Sequence, residues 1–353
     1  MKILVLCGGT HPENLGGVET FERVLAKIFE NKIYFLGYKN KLKKYYKIEN
    51  IIEIFELNFI MKVLNKLLNQ KIRKYIFKKE IGKIRPDMLL FNFPNTLEHI
   101  PIFYGKKILV KHGRYDSYLE GYYKNDKNIM LGMEKKIDYF VFLSEYDKKR
   151  FIEELNFPTY KAKVIRHSCE VALLEEEKKK NKNLIMIARL DNKYKRFDLA
   201  IKVMKQLPDF NLKIYGDGKD KILLKNLINK YQLKNVFLCD GTNKVKEKLD
   251  EAGIFIMTSD SEGYPISTIE AMRRGLPIIL RNTFEAAQDI VIDNGILLEK
   301  EWQEEKFVEA VKKVYDNYSY YSENSIKMGR RHDFEKIESE WQNLIKKIEN
   351  EKK

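Results

Sequence analysis

The run SDSEGYPISTIEAMRRGLP, residues 259–277, lies between two apolar runs, GIFIMTS (253–259) and LPIILRN (276–282). Pro265 suits the first turn of a helix and Gly275 suits its C-terminal cap, so the three runs read as strand, helix, strand. Apolar strands with a helix between them point to a buried parallel sheet. Two glutamates stand in the run, Glu262 just before the helix and Glu270 inside it. Eight residues at about 1.5 Å rise put them roughly 12 Å apart. That is too far for one acid–base pair, because paired glycosidase carboxyls stand within about 5–9.5 Å. The spacing suits a ligand with hydroxyls at both ends, and a nucleotide sugar has them on its hexose and its ribose. Its diphosphate would lie over the helix start at Gly263, Tyr264, Pro265 and Ile266, where the dipole favours anions.

The same alternation runs along the whole chain. In the N-terminal half KILVLCG (2–8), NKIYFLG (31–37), DMLLFNF (87–93), KKILVKHG (106–113) and DYFVFLS (138–144) read as buried strands. VETFERVLAKIFE between them places Val18, Phe21, Leu25 and Ile28 on one helical stripe. The pattern breaks over 161–185, where a charge run suits a connector. It resumes with NLIMIARL (183–190), FNLKIYGDG (210–218), NVFLCDG (235–241), GIFIMTS, LPIILRN and GILLEK (295–300). The expectation is an α/β chain of two Rossmann-like domains facing a cleft, over residues 1–168 and 169–334. A last helix, about 335–353, is expected to pack back on the first domain. Ligands of such sheets bind beyond the strand C-terminal ends, so the loops there are the candidate sites.

Composition narrows the function classes. With 353 residues, 44% hydrophobic and 33% charged, the chain has enough apolar material for two cores and is not a disordered one. Three scattered cysteines, Cys7, Cys169 and Cys239, argue for a reducing compartment and against a disulfide scaffold or zinc site. No apolar run approaches the ~18 residues of a membrane span. MKILVLCGG reads as a first strand rather than a signal peptide, which places the protein in the cytoplasm. The net charge of +15 admits nucleic acid, but the lysines are spread evenly; an anionic lipid surface or a phosphate-bearing substrate fits that spread better.

EGYPISTIEAMRRGLPII resembles the E-x7-E signature of the retaining GT-B glycosyltransferases of the type usually numbered family four. IARLDNKYKRFDLAI (187–201) resembles that family's Gly-Arg-Leu…Lys-Gly segment, IYGDG its Gly-Asp-Gly loop, and DNGILL its Asn-Gly-Leu-Leu strand. NLGGVETFERVL is similar to its Gly-Gly-x-Glu loop and helix, with thinner coverage. The resemblance implies Glu270 on the ribose hydroxyls, Glu262 near the donor hexose, and Arg189 and Lys195 on the diphosphate. Gly16 and Gly17 would let backbone approach the phosphate. His112, which ends a strand in LVKHGRYDS, would position the sugar or acceptor. One departure stands out: the family usually has glycine after the loop lysine, where this chain has Arg196, which implies an altered phosphate contact.

The resemblance further implies transfer of a hexose from a nucleotide diphosphate sugar to an acceptor hydroxyl with retention. The leaving diphosphate would help to deprotonate the acceptor, with no enzyme nucleophile. Asp260 and Glu262 offer a superficial Asp-x-Asp-like pair, but Arg189 and Lys195 already supply cationic charge, so no metal is required and no other cofactor is expected. The acceptor would be a lipid-linked or surface glycan.

One feature lies outside the motifs. Residues 41–87 hold 13 Lys and Arg against 5 Asp and Glu, a local net of +8. Leu64, Leu68, Ile72 and Ile76 form one stripe, with Lys62, Lys66 and Arg73 turned away. The stretch reads either as a peripheral anchor on anionic lipid or as a Rossmann helix packed on its sheet. Two rivals stay open: a GT-B transferase acting on a soluble or protein acceptor, and a non-enzymatic basic Rossmann protein binding membrane or nucleic acid.

Overall fold

A computed structural model describes residues 1–39, 44–68 and 70–351. Residues 41–43 and 69 of the basic stretch lie outside the described residues. The chain divides into two compact units, Met1–Ile165 with the end of the chain from Glu338, and Arg166–Ile337. The division falls three residues ahead of the boundary read from the sequence.

The first unit holds a seven-stranded parallel sheet. Its strands are β1 (Ile3–Gly8), β2 (Ile33–Tyr38), β3 (Ile51–Ile54), β4 (Met88–Phe91), β5 (Lys106–Lys111), β6 (Tyr139–Phe142) and β7 (Ala162–Val164). Their spatial order is β3-β2-β1-β4-β5-β6-β7. Every residue of β1, β4 and β6 is buried, as central strands covered on both faces require. The sequence reading missed both edge strands. β3 has only one buried residue and sits in the basic stretch; three-residue β7 sits where the connector was expected. Helix α1 (Gly17–Phe29) buries Phe21, Val24, Leu25 and Ile28. The final helix, Phe334–Asn350, brings buried Trp341 to 5.9 Å from the Phe21 ring.

The basic stretch corrects a second expectation. It forms two helices, α2 (Phe59–Leu67) and α3 (Lys71–Ile84), separated at Gln70, whose φ of 65° ends any continuous helical path. The stripe Leu64–Leu68–Ile72–Ile76 is therefore broken. Leu64 and Leu68 are exposed, while Ile76 packs against the core with Phe77 and Ile81.

The second unit holds a six-stranded parallel sheet of β8 (Asn183–Ile187), β9 (Asn211–Tyr215), β10 (Val236–Cys239), β11 (Ile254–Met257), β12 (Ile278–Arg281) and β13 (Gly295–Leu298). The order is β10-β9-β8-β11-β12-β13. In both units the order reverses beside the first strand, between β1 and β4 and between β8 and β11. The loops there diverge to opposite faces and leave a crevice for ligands.

The helix Ile266–Arg273 ends as the sequence suggested. Gly275 has φ 69°; its N–H reaches the Met272 carbonyl and the Leu276 N–H reaches the Ala271 carbonyl, both at 3.0 Å. This double closure wants a left-handed residue. A Cβ on Gly275 would stand 3.3 Å from Ile326 and Lys178 side-chain atoms. Gly275→Ala should therefore lower stability by about 1–2 kcal/mol. Gly82→Ala, at an exposed position of α3 with nothing within 4 Å of the added carbon, should raise it by about 0.5–1 kcal/mol. Urea unfolding of the two variants gives the comparison.

Candidate functional site

In the second unit the site is built from the loops that leave β8 and β11 on either side of the order reversal. The β8 loop carries Arg189 and runs into the short helix Asn192–Lys195. Three bonds stitch it to the β11 loop. Thr258 Oγ1 donates to the Arg196 carbonyl at 2.8 Å, the Asp260 N–H donates to the Tyr194 carbonyl at 2.8 Å, and Arg196 Nη1 donates to Asp260 Oδ2 at 3.0 Å. On its other side Asp260 takes Arg281 Nη1, while that same nitrogen reaches the Thr258 carbonyl at 2.9 Å. The two arginines hold the Asp260 carboxyl below its ordinary pKa against the opposing effect of burial.

The frame brings two sequence-derived residues into contact. Lys195 Nζ lies 2.6 and 2.8 Å from the two oxygens of Glu262. Both side chains are largely buried. Arg189 is exposed, and among the described residues its guanidinium has no salt-bridge partner within 4.0 Å. Asp260 and Glu262, the pair that resembles a cation-holding motif, thus each carry a cationic partner already. Among the described residues no three His, Cys, Asp or Glu side chains gather to hold a metal ion.

Arg196 explains the departure from glycine. It joins two short helices with φ 51° and ψ 42°, a conformation glycine adopts freely and arginine at a cost of about 1–2 kcal/mol. Its guanidinium bonds Asp198 at 3.0 and 3.2 Å besides Asp260. The side chain is committed to loop structure.

Glu270 is half-buried in the Ile266–Arg273 helix, and its charge adds to burial in pushing the Cys169 thiol up. Pro265 caps that helix as its first non-helical residue, beside half-buried Gly263 and buried Ile266. Tyr264, at the same helix start, turns its side chain into the protein. The ring is buried, with its hydroxyl 3.3 Å from His332 Nε2. His332 Nδ1 lies 2.7 Å from the His167 carbonyl and must donate to it. Nε2 is then the acceptor for Tyr264. Burial lowers the His332 pKa to about 3 and keeps this ring neutral.

The first unit carries a second cluster at its own order reversal, where the loops after β1 and β4 separate. His112 Nε2 is 3.2 Å from Asn92 Oδ1, and Asn92 Nδ2 donates to Glu22 Oε1 at 2.6 Å. The amide orientation gives His112 Nε2 the proton in that bond. The ring also packs edge-on to Phe21, with centroids 4.9 Å apart. Thr10 Oγ1 stands 2.7 Å from Glu22 Oε1 and 2.8 Å from the Cys7 carbonyl. One hydroxyl proton cannot serve both acceptors. A protonated Glu22 resolves the conflict: it donates to Thr10, which donates to Cys7. Burial raises the Glu22 pKa to about 8, in accord with a neutral carboxyl. Gly16 and Gly17 are exposed at the start of α1. His11 is fully buried, 3.2 Å from Glu53.

Residues 174–332, nearly the whole second unit, match the family model described as Glycosyl transferases group 1. Over 98% of its length the chain superposes on 99% of HepE from Anabaena, solved with UDP and glucose, with a TM-score of 0.77 and 14% identity. The fold is GT-B. Among curated proteins, an uncharacterized glycosyltransferase of Haemophilus influenzae is 33% identical over 178 residues, which are 48% of this chain and 50% of that protein. The Escherichia coli O-antigen biosynthesis glycosyltransferase WbnH is 25% identical over 244 residues, 68% of this chain and 69% of that protein. The chain thus spans about half the length of the Haemophilus relative.

Within this GT-B chain the sequence reading singled out Lys195, Glu262 and His112 as candidates but missed the groups that hold them. Asp260 was read only as half of an Asp-x-Asp-like pair, and Arg281 was visible only as a charged residue at a strand end. Glu22 did leave a signal: it stands four residues after Val18 and three before Leu25, so an acid falls on the apolar stripe of α1.

A neutral Glu22 has a pH signature. With a pKa near 8 in the fold and 4.5 as its ordinary value, the folded chain keeps a proton that the unfolded chain loses. Stability from this group is full below about pH 4.5, declines as pH rises and levels off above about 8. Glu22→Gln carries no such proton. Between about pH 5 and 9 it should gain on wild type by on the order of 4 kcal/mol, at 1.36 kcal/mol per unit. Unfolding curves at both pH values measure this, and a constant difference between the proteins would refute a neutral Glu22.

Proposed function

We propose that the chain is a retaining glycosyltransferase that moves a hexose from a nucleotide diphosphate sugar to an acceptor hydroxyl in surface-polysaccharide or lipid-linked glycan synthesis. The observation that carries this reading is the Lys195–Glu262 pair at the ends of β8 and β11, with exposed Arg189 in the same loop. A diphosphate over the start of the Ile266–Arg273 helix meets the backbone N–H groups of its first turn and the helix dipole. Lys195 then shares its ammonium between phosphate and Glu262, which leaves the carboxylate able to accept from hexose hydroxyls. Glu270, one turn further along the helix, accepts from the ribose. As the glycosidic bond breaks, negative charge grows on the diphosphate. Arg189 and Lys195 meet it with fixed positive charge, which supports a reaction that needs no metal. His112, oriented by Asn92, positions the sugar or acceptor rather than acting as a strong base. The family match over 174–332 and the UDP and glucose bound to HepE support the same donor class. The O-antigen role in WbnH's name supports a surface glycan as product.

Thermal-shift titration with UDP, GDP, ADP and their common sugars, with and without magnesium, tests the donor site. One nucleotide should raise Tm without magnesium. Glu270→Ala and Lys195→Ala should each weaken its affinity by about tenfold or more, the loss of one charge-assisted hydrogen bond. No shift with any nucleotide would sink the reading. Where transfer is detected, the anomeric proton coupling of the product separates retention from inversion.

A further inference from the structure

Helix α2 (Phe59–Leu67) is built inside out. Asn58 caps it by accepting the Met61 N–H at 2.9 Å, yet the one residue it buries is Asn65. The Asn65 side chain faces the protein, where Oδ1 accepts the Arg73 N–H at 3.0 Å and Nδ2 donates to Gln70 Oε1. The large apolar side chains point the other way. Phe59 is 80% exposed, Ile60 69% and Leu67 76%, and Val63 and Leu64 are exposed with them. At about 100° per residue these five cover an arc of roughly 140° of the helix circumference, and Lys62 and Lys66 border that arc on one side.

The surroundings are cationic. Residues 55–84 carry eight Lys and Arg against two Glu, a net of +6. On α3 (Lys71–Ile84), which packs on α2, Lys71, Lys74 and Lys78 are exposed around an exposed Tyr75. Arg73 departs from the sequence expectation of a surface contact. It is half-buried, with Nη1 at 3.1 Å from His99 Nε2 and the guanidinium over the Tyr38 ring. Lys62 is partly neutralised by Glu56, 2.6 Å away.

We propose that α2 lies flat on an anionic lipid bilayer, with Phe59, Ile60, Val63, Leu64 and Leu67 among the acyl chains and the lysines of α2 and α3 against the headgroups. Charge complementarity selects this occupant. A second copy of the chain would bring two +6 surfaces together around the apolar arc, whereas an anionic membrane satisfies both the apolar arc and its cationic border. A helix whose polar side chain is its inward anchor has no use for its apolar face within its own unit. The docking does not rest on the glycosyltransferase reading, because it needs neither nucleotide nor sugar.

Co-sedimentation with vesicles of phosphatidylcholine alone, and of phosphatidylcholine mixed equally with phosphatidylglycerol, tests it. The chain should bind the mixed vesicles, bind the neutral ones at least tenfold more weakly, and be released by high salt. The triple variant Phe59→Ser, Ile60→Ser, Leu67→Ser should lose at least tenfold in affinity while its thermal melt matches wild type, since all three side chains are exposed. Lys66→Gln should weaken binding roughly fivefold, and Lys62→Gln less, because Glu56 already offsets that charge. In Phe59→Trp, tryptophan emission should shift to shorter wavelength on the mixed vesicles only. Undiminished binding by the triple variant, or equal binding to both vesicle types, would overturn the proposal. So would a concentration-dependent dimer that the triple variant abolishes, which would make a second copy the occupant.

Discussion

The carboxylate of Asp260 is the hub on which the second unit's site depends. A doubly wound sheet sends neighbouring loops to opposite faces at the point where its strand order reverses, and nothing in the sheet itself holds those loops in register. Here Asp260 does so: its N–H bonds Tyr194 in the β8 loop, and its oxygens take Arg196 from that loop and Arg281 from the end of β12. Arg281 is buried and also bonds the carbonyls of Thr258 and Lys300. Removing Asp260 would leave a buried guanidinium short of its only carboxylate among the described residues, a situation that costs about 3–5 kcal/mol. The Lys195–Glu262 contact is downstream of this frame, because each partner sits within two residues of a stitched backbone group.

The first unit solves the same loop problem with neutral groups. Instead of a shared carboxylate between arginines, it uses a chain of hydrogen bonds from Cys7 through Thr10, Glu22 and Asn92 to His112. Burial leaves Glu22 its proton, and that proton completes the chain. The two units therefore orient their candidate functional side chains by opposite electrostatic means, a charged clamp in one and a proton-bearing carboxyl in the other.

The alternation of apolar runs and amphipathic segments was enough to read eleven of the thirteen strands among the described residues, because each of these stands out as an apolar run between polar segments. β3 (IIEI) and β7 (AKV) escaped because a charged residue interrupts each of these three- or four-residue strands and leaves no sustained apolar run. Glu262 and Glu270 were singled out through their spacing around Pro265 and Gly275, and Lys195 through the resemblance of its loop to the Gly-Arg-Leu…Lys-Gly segment. The holding roles of Asp260, Arg281 and Asn92 were not legible, since a polar residue at a strand end looks the same whether it meets solvent or a partner far along the chain. The basic stretch shows a different limit. Periodicity reveals that a helix has an apolar face, but not which way that face points, and the orientation of α2 is decided by Asn65 and its bonds to Gln70 and the Arg73 backbone.

The inverted helix also bears on how the protein stays dispersed in water. An uncovered apolar arc invites molecules to stick together, and the lysines around it, backed by the net charge of +15, oppose that by mutual repulsion. Such repulsion reaches about 8 Å at physiological ionic strength and only about 3 Å at 1 M salt, less than the diameter of one helix. The cations that would draw α2 toward an anionic surface are thus the same ones that keep two copies of it apart. Added salt weakens both effects together, so the ionic strength that frees the chain from a surface also removes its colloidal protection.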